Sequence, residues 1–90
     1  MDQICLRCFV SGHVQGVFYR AFVEDEAISR EITGWVRNLS DGRVEALLCG
    51  EREAVENLRD RLWTGPPRAD VTRVESEEIP WENHQGFTIR

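Results

Sequence analysis

Residues 35–49 read W-V-R-N-L-S-D-G-R-V-E-A-L-L-C, and this stretch decides the fold of the chain. Its centre, Ser40-Asp41-Gly42, has the composition of a tight turn, and strand-forming residues stand on both sides of it. The stretch therefore predicts a β-hairpin whose strands are Trp35 to Asn38 and Arg43 to Cys49.

Five further elements flank the hairpin, because apolar residues alternate in some segments and recur at helical spacing in others. They are a strand from Ile4 to Ser11, helices from Tyr19 to Ile32 and from Arg52 to Trp63, a strand from Val71 to Glu77 and a short strand from Gly86 to Arg90. The order predicts one α+β domain over residues 1–90, a ferredoxin-like α/β sandwich with β-α-β-β-α-β order and a short fifth C-terminal strand. We expect an antiparallel sheet with two helices on one face.

The alternation also predicts a strand register, in which the third strand lies between the first and second. The expected inner pairs are Leu6 with Leu48, Cys8 with Ala46, Val10 with Val44 and Val36 with Ala46, and the outer pairs are Phe9 with Glu45, Arg37 with Glu45 and Cys5 with Cys49. A disulfide between Cys5 and Cys49 is geometrically allowed by this register, although a reducing cytoplasm disfavours it.

The charge of the chain disfavours nucleic acid as a partner. The 90 residues include 16 acidic and 11 basic side chains, for a net charge of -5, and such a chain repels polyanions. An RNA-binding sheet remains an alternative, but the expected outer face offers only Phe9 and Trp35 with Arg7 and Arg37 nearby. No segment has the pattern of a signal peptide or a membrane span, so we expect a cytoplasmic protein that binds no membrane.

The C-x-x-C pair of Cys5 and Cys8 allows a metal or redox interpretation. However, a zinc site needs about four ligands, and the only histidines are His13 and His84. The pair also lies inside a predicted strand rather than at a helix start. We therefore expect no metal and no cofactor, and a buried thiol at Cys8.

Residues 12–20, G-H-V-Q-G-V-F-Y-R, join the first strand to the first helix. Two glycines allow backbone N–H groups to turn inward, and the helix start adds unpaired N–H groups with partial positive charge. Arg20 lies in the first helical turn, where a cation opposes the helix dipole unless an anion binds there. The segment predicts an anion site; the alternative is a plain turn with Arg20 paired to a surface carboxylate.

Asn38 is predicted to reach the same site. The first and second strands run parallel in this fold, so their ends meet at one edge of the sheet, and Asn38 shares the inner face with Val36. Near a strand end, Asn more often forms a turn through its own backbone bonds. Beside a phosphate, however, an amide can hold a water with its carbonyl and an oxygen with its NH₂ group.

Both segments resemble the signatures of the acylphosphatase family. Residues 12–20 are similar to G-x-V-Q-G-V-x-[FY]-R, residues 34–45 to G-x-V-x-N-x-x-D-G-x-V-E, and residues 65–69 and 87–90 to less specific family segments. The resemblance covers essentially the whole chain and implies hydrolysis of small-molecule acyl phosphates to a carboxylate and inorganic phosphate. It further implies that Asn38 places the water, and that the phosphate is held by Arg20 and the backbone of Gln15, Gly16, Val17, Phe18 and Tyr19.

The residues themselves agree with attack by water, because the chain lacks the motifs of covalent phosphatases and nucleotide P-loops. The general base stays open between His13 and, as the resemblance indicates, the phosphate of the substrate. We expect a monomer that inorganic phosphate inhibits competitively as the product. The rival function is a non-catalytic module that binds carboxyphosphate or carbamoyl phosphate. Nothing outside the loop identifies the physiological acyl group.

Overall fold

The computed structural model describes residues 2–90. Its elements are β1 (Gln3–His13), α1 (Tyr19–Ser29), β2 (Thr33–Asn38), β3 (Val44–Glu51), α2 (Arg52–Arg61), β4 (Asp70–Ile79) and β5 (Phe87–Ile89). All seven were predicted in this order, and the ferredoxin-like α+β fold is confirmed.

The first helix is shorter than predicted, because it ends at Ser29 rather than at Ile32. Glu31 adopts a left-handed backbone with φ 56°. Its N–H donates to the carbonyl of Ile28, and the N–H of Ile32 reaches back to Ala27. These two bonds form a Schellman cap, which usually has glycine at the left-handed position. The predicted boundary was wrong because glutamate occupies that position here.

The strands form one five-stranded sheet in the order β4-β1-β3-β2-β5. Four strands pair antiparallel, but β5 runs parallel to β2. The sheet is therefore mixed, and the prediction of a wholly antiparallel sheet was wrong for this last strand. The reason is the path of residues 80–86, which lead from β4 at one edge to β5 at the other. Because of that path, β5 begins at the same end of the sheet as β2 and runs in the same direction.

The predicted register is confirmed in both pairings of β3. Leu6 pairs with Leu48, Cys8 with Ala46, Val10 with Val44, Phe9 with Glu45, Cys5 with Cys49, Val36 with Ala46 and Arg37 with Glu45. Since side chains alternate between the faces of a strand, this register decides which residues contact the helices.

The main core lies between the sheet and the two helices. Its members from the sheet include Leu6, Cys8, Val10, Val36 and Ala46. A smaller cluster covers the outer face, where Cys5, Trp35, Leu47 and Cys49 pack together with Ile79. None of the helices within residues 2–90 is long and apolar enough to cross a membrane.

Cys5 and Cys49 lie on the outer face of the sheet, and Cys8 lies on the inner face. The sulfur atoms of Cys5 and Cys49 are at disulfide-bonding distance on the outer face, with Cα atoms 4.1 Å apart. Cys8 is a free cysteine in the main core, and burial raises the pKa of its thiol to about 12. Cys5 and Cys8 therefore cannot share a metal ion or form a redox pair.

We predict that Gly34→Ala destabilises the protein by more than about 3 kcal/mol. Gly34 has φ +132°, and a Cβ atom there would lie 1.9 Å from the carbonyl oxygen of Leu47 on β3. Urea unfolding measures the loss. Gly86→Ala is the control, since Gly86 also has positive φ but no atom within 4 Å of the added carbon. It is expected to cost only about 1–2 kcal/mol, and equal losses in the two variants would contradict the steric argument.

We predict that intact protein, denatured without reductant, has the mass of a Cys5–Cys49 disulfide. Reduction is expected to add two hydrogen atoms. The bond spans a sequence separation of 44 residues, so chain entropy predicts a stabilisation of about 4 kcal/mol. Urea unfolding with and without reductant measures this term, and the double variant Cys5→Ala/Cys49→Ala is expected to show no reductant effect. A mass that reductant leaves unchanged would exclude the bond.

Candidate functional site

The connection between β1 and α1 turns twice through left-handed backbone. Gly16 has φ 74° and Phe18 has φ 63°. Glycine adopts this conformation freely, whereas for a bulky side chain it costs of order 1–3 kcal/mol and is found mainly at functional sites. Such alternation of backbone conformation is typical of anion-binding nests, in which successive N–H groups face one concave side. Gly16 was recognised from the sequence, but the strained backbone of Phe18 was not.

The amino-terminal end of α1 continues this concave surface. Phe18 is its N-cap residue, and within the described chain no side chain caps this end and no acidic residue stands in the first turn. The first backbone bond of the helix is donated by Phe22 to Phe18, over 3.0 Å. The preceding N–H groups and the helix dipole therefore favour an anion at this position.

The concave surface belongs to a cavity of about 320 Å³, called here the loop–helix cavity. Its lining residues are Val14, Gly16, Phe18, Tyr19, Arg20, Ala21, Asn38 and Ile89. The structure thus brings Arg20 and Asn38 together beside the loop, as the sheet topology predicted. Both residues reach it for simple reasons: Arg20 stands in the first turn of α1, and Asn38 is the last residue of β2.

Arg20 is held by the main chain of Arg90, the residue that follows the last strand. Its Nη1 donates to the carbonyl oxygen of Arg90 over 3.3 Å. The N–H of Arg90 in turn donates to Val36 on β2 over 2.9 Å, and the Arg90 guanidinium lies 4.7 Å from the centre of the Trp35 ring. Among residues 2–90, no Asp or Glu side chain forms an ion pair with Arg20. The surface-pair alternative for this arginine therefore receives no support.

The turn that follows Asn38 closes without the Asn38 side chain. Leu39 and Arg43 pair through their backbones over 2.8 Å, and Asp41 accepts hydrogen bonds from the backbone and side chain of Arg43. These bonds hold the pKa of Asp41 below its usual range, and the largest contribution comes from the Arg43 N–H. The turn therefore does not require the Asn38 side chain, and Asn38 lines the loop–helix cavity.

Gln15 fastens the loop to the hairpin. Its Nε2 donates to the carbonyl oxygens of Leu39, over 2.8 Å, and Arg43, over 3.0 Å. These bonds join the segment carrying Gly16 to the turn next to Asn38. The sequence analysis assigned Gln15 a backbone role only. The sequence feature that indicates a side-chain role is the position of this amide in a tight loop, between Val14 and Gly16.

Tyr19 anchors the start of α1 from inside the core. The side chain is buried, and its Oη donates to the carbonyl oxygen of Leu62 over 2.6 Å. Burial raises the pKa of this hydroxyl, so it stays protonated. Val17 is also buried, at 4% exposed. The loop is thus pinned on both sides of Phe18.

The two histidines lie elsewhere. His13 is exposed at the end of β1, pairs with Asp70 in the sheet and does not line the loop–helix cavity. His84 lies 3.0 Å from a carboxylate oxygen of Glu82. Within residues 2–90, no group of three or more His, Cys, Asp or Glu residues is arranged to hold a metal ion. The structure thus brings Arg20 and Asn38 together but leaves His13 outside.

The fold and the cavity define a ferredoxin-like α/β sandwich with an anion-attracting loop at one edge of its sheet. The chain belongs to the acylphosphatase family, whose model matches residues 6–89. Members of this family hydrolyse acyl phosphates to a carboxylate and inorganic phosphate, and the chain is an enzyme of this kind.

Individual relatives are similar over nearly their whole length. An acylphosphatase of Nitrosococcus oceani is 51% identical, over 96% of this chain and 97% of the relative. The structure of an acylphosphatase from Coxiella burnetii has a TM-score of 0.96 at 46% identity, covering 99% and 94% of the two chains. The crystal structure of the Bacillus subtilis acylphosphatase has a TM-score of 0.94 at 39% identity, covering 97% and 98%.

We predict that Gln15→Leu lowers kcat/KM for an aryl acyl phosphate by about 10- to 100-fold, equivalent to about 1.4–3 kcal/mol. The variant loses both bonds to the hairpin, so the loop and Asn38 are no longer held in register. Steady-state hydrolysis measures the effect. The matched control is Gln85→Leu, at an exposed glutamine for which no change is expected. Equal activity of the wild type and Gln15→Leu would show that the bridge does not position the site.

Proposed function

We propose that this acylphosphatase works by holding the phosphoryl group with Arg20 and the backbone N–H groups of residues 15–19, while Asn38 positions the attacking water. The observation that carries the proposal is the shared cavity, which Arg20 and Asn38 line together with Phe18 at the uncapped start of α1. The two residues come from different elements, and the sheet topology alone brings them together.

The positive charge needed for a phosphate is local. The chain as a whole carries a net charge of -5, which repels a dianion over long distances. At the loop, however, a guanidinium, the N–H groups of a nest and a helix start converge. Charge-assisted hydrogen bonds of this kind are about twice as strong as neutral ones, and a guanidinium can bind two phosphate oxygens at once. Such groups stabilise the charge of a phosphoryl-transfer transition state without moving.

Asn38 positions the attacking water in this proposal. Its amide carbonyl accepts a hydrogen bond from water, and its NH₂ group donates to a phosphate oxygen. Both contacts together place the water oxygen against phosphorus, in line with the leaving group. The new bond joins the water oxygen to phosphorus, the bond from phosphorus to the acyl oxygen breaks, and the carboxylate departs.

A phosphate oxygen of the substrate accepts the proton of the water in this proposal. The eight lining residues of the loop–helix cavity include no His, Asp or Glu. A carboxylate is a good leaving group, so a weak base is sufficient for the proton transfer. His13 is the alternative base from the sequence, but it does not line the cavity.

The proposal needs no metal ion or cofactor, because the arginine and the N–H groups already supply the positive charge. Inorganic phosphate, as the product, is expected to occupy the same groups and to inhibit competitively. We also propose a cytoplasmic enzyme that acts as a monomer. Size-exclusion chromatography with light scattering, at micromolar concentration, tests the oligomeric state.

We predict that Asn38→Ala and Arg20→Ala separate turnover from binding. Asn38→Ala removes the water contact and is expected to lower kcat by at least about 10²-fold with the binding of inorganic phosphate largely intact. Arg20→Ala is expected to lose both, since the phosphate no longer has its cation. Hydrolysis of benzoyl phosphate and titration with inorganic phosphate measure the two effects.

The controls are Asn83→Ala and Arg73→Ala, which remove an exposed amide and an exposed guanidinium outside the cavity. Both are expected to retain wild-type kinetics. The assays are run in chelator, where full activity with competitive inhibition by phosphate is expected. Normal turnover by Asn38→Ala or Arg20→Ala would overturn the residue assignment, and loss of activity in chelator would overturn the metal-free mechanism.

A further inference from the structure

A second groove lies beside the loop–helix cavity and shares one side chain with it. The groove has a volume of about 380 Å³ and is lined by Val17, Phe18, Pro66, Pro67 and Arg68. We name it the proline groove. Phe18 lines both the proline groove and the loop–helix cavity, so the two spaces meet at its ring.

The position of the Phe18 ring is determined by its neighbours. Val17 and Tyr19 are buried, at 4% and 1% exposed, whereas Phe18 is 79% exposed. The left-handed backbone at Phe18 turns this side chain out of the core, between two side chains that point in. A large apolar ring is therefore held in solvent at the junction of an anion-attracting cavity and an apolar groove.

The opposite wall of the groove is also firmly attached. The segment that carries the two prolines follows Leu62, whose carbonyl oxygen accepts the hydrogen bond of Tyr19. The N–H of Ala69 donates to Pro66 over 3.0 Å, and Gly65 packs closely against the Tyr19 ring. Two prolines further restrict the backbone. The groove is therefore formed before any ligand binds, which lowers the entropic cost of filling it.

The mechanism proposed above gives the direction of the leaving group. In an in-line displacement the water and the leaving oxygen lie on opposite sides of phosphorus. The water is placed by Asn38 on β2, and Ile89 belongs to the neighbouring β5, where it pairs with Val36. Asn38 and Ile89 therefore lie on the side of the attacking water. Phe18 belongs to the loop before α1 and to neither strand, and in the proposed mechanism the acyl group leaves toward this residue.

We infer that the proline groove is the binding subsite for the acyl group, and that Phe18 favours acyl phosphates with an aromatic or other large apolar acyl group. This inference rests on the proposed function. A planar acyl group in the groove contacts the Phe18 ring and the prolines, through apolar burial and ring stacking. An acetyl group has no ring to stack on Phe18 and buries less apolar surface in the groove.

The test compares benzoyl phosphate with acetyl phosphate in the wild type, Phe18→Ala and Pro67→Ser. The measured quantity is the ratio of kcat/KM for the two substrates, in which their different intrinsic reactivities cancel between variants. Phe18→Ala is expected to lower this ratio about tenfold, mainly through a higher KM for benzoyl phosphate. Pro67→Ser is expected to lower it in the same direction by a smaller factor, because one contact of the opposite wall is lost.

Trp81→Ala is the matched control. Trp81 is also an exposed aromatic residue, at 46%, but the next residue, Glu82, donates its N–H to Cys5, at the opposite end of β1 from the loop. Its removal is expected to leave the ratio unchanged. The inhibition constant of inorganic phosphate is measured for every variant, because phosphate fills the loop–helix cavity without entering the groove.

The outcomes separate the subsite from the mechanism. Turnover of both substrates with a ratio that neither Phe18→Ala nor Pro67→Ser changes would overturn the subsite alone. Phe18→Ala could instead lower kcat/KM equally for both substrates and weaken inhibition by phosphate. Phe18 would then support the conformation of the loop backbone, and the subsite would also be overturned. Failure of the proposed function is seen instead as normal turnover by Asn38→Ala or Arg20→Ala.

Discussion

The pairing of β3 with both β1 and β2 is the constraint on which the rest of the structure depends. Because β3 is antiparallel to each, the two outer partners of this trio run parallel and end at the same edge of the sheet. The loop after β1 and Asn38 at the end of β2 meet there. No local feature of either segment achieves this, and a shift of one residue in either register would turn Asn38 or the core residues to the wrong face.

The proposed phosphate site also explains how an acidic protein would attract an anion. Its charge is set by groups within a few ångströms: backbone N–H groups, a helix start and one guanidinium that lacks an acidic neighbour within residues 2–90. Several other arginines are paired with carboxylates, as at Arg37, whose guanidinium lies 2.7 Å from the buried carboxylate of Glu45. A net charge read from composition therefore excludes extended polyanions more reliably than it excludes a small phosphate.

The sequence predicted the register, both faces of the sheet and the meeting of Arg20 with Asn38, because a period of two and a tight turn leave little freedom. Other features depend on contacts that no local pattern encodes. The end of α1 depends on a glutamate in a position that usually holds glycine. The direction of β5 depends on the path of residues 80–86 around the sheet. The Gln15 bridge and the outward Phe18 ring depend on how the loop packs against the hairpin and the core.

The hydrogen bond from Arg20 to Arg90 connects the loop–helix cavity to the pairing of β5 with β2. The guanidinium of Arg20 has its acceptor at the sheet edge in Arg90, the residue that follows β5. Docking of β5 beside β2 supplies that acceptor and, through the stacking of Arg90 on Trp35, also covers part of the outer face. A change that detaches β5 from β2 is therefore expected to disturb the Arg20 contact in the cavity and the Trp35 contact on the outer face together.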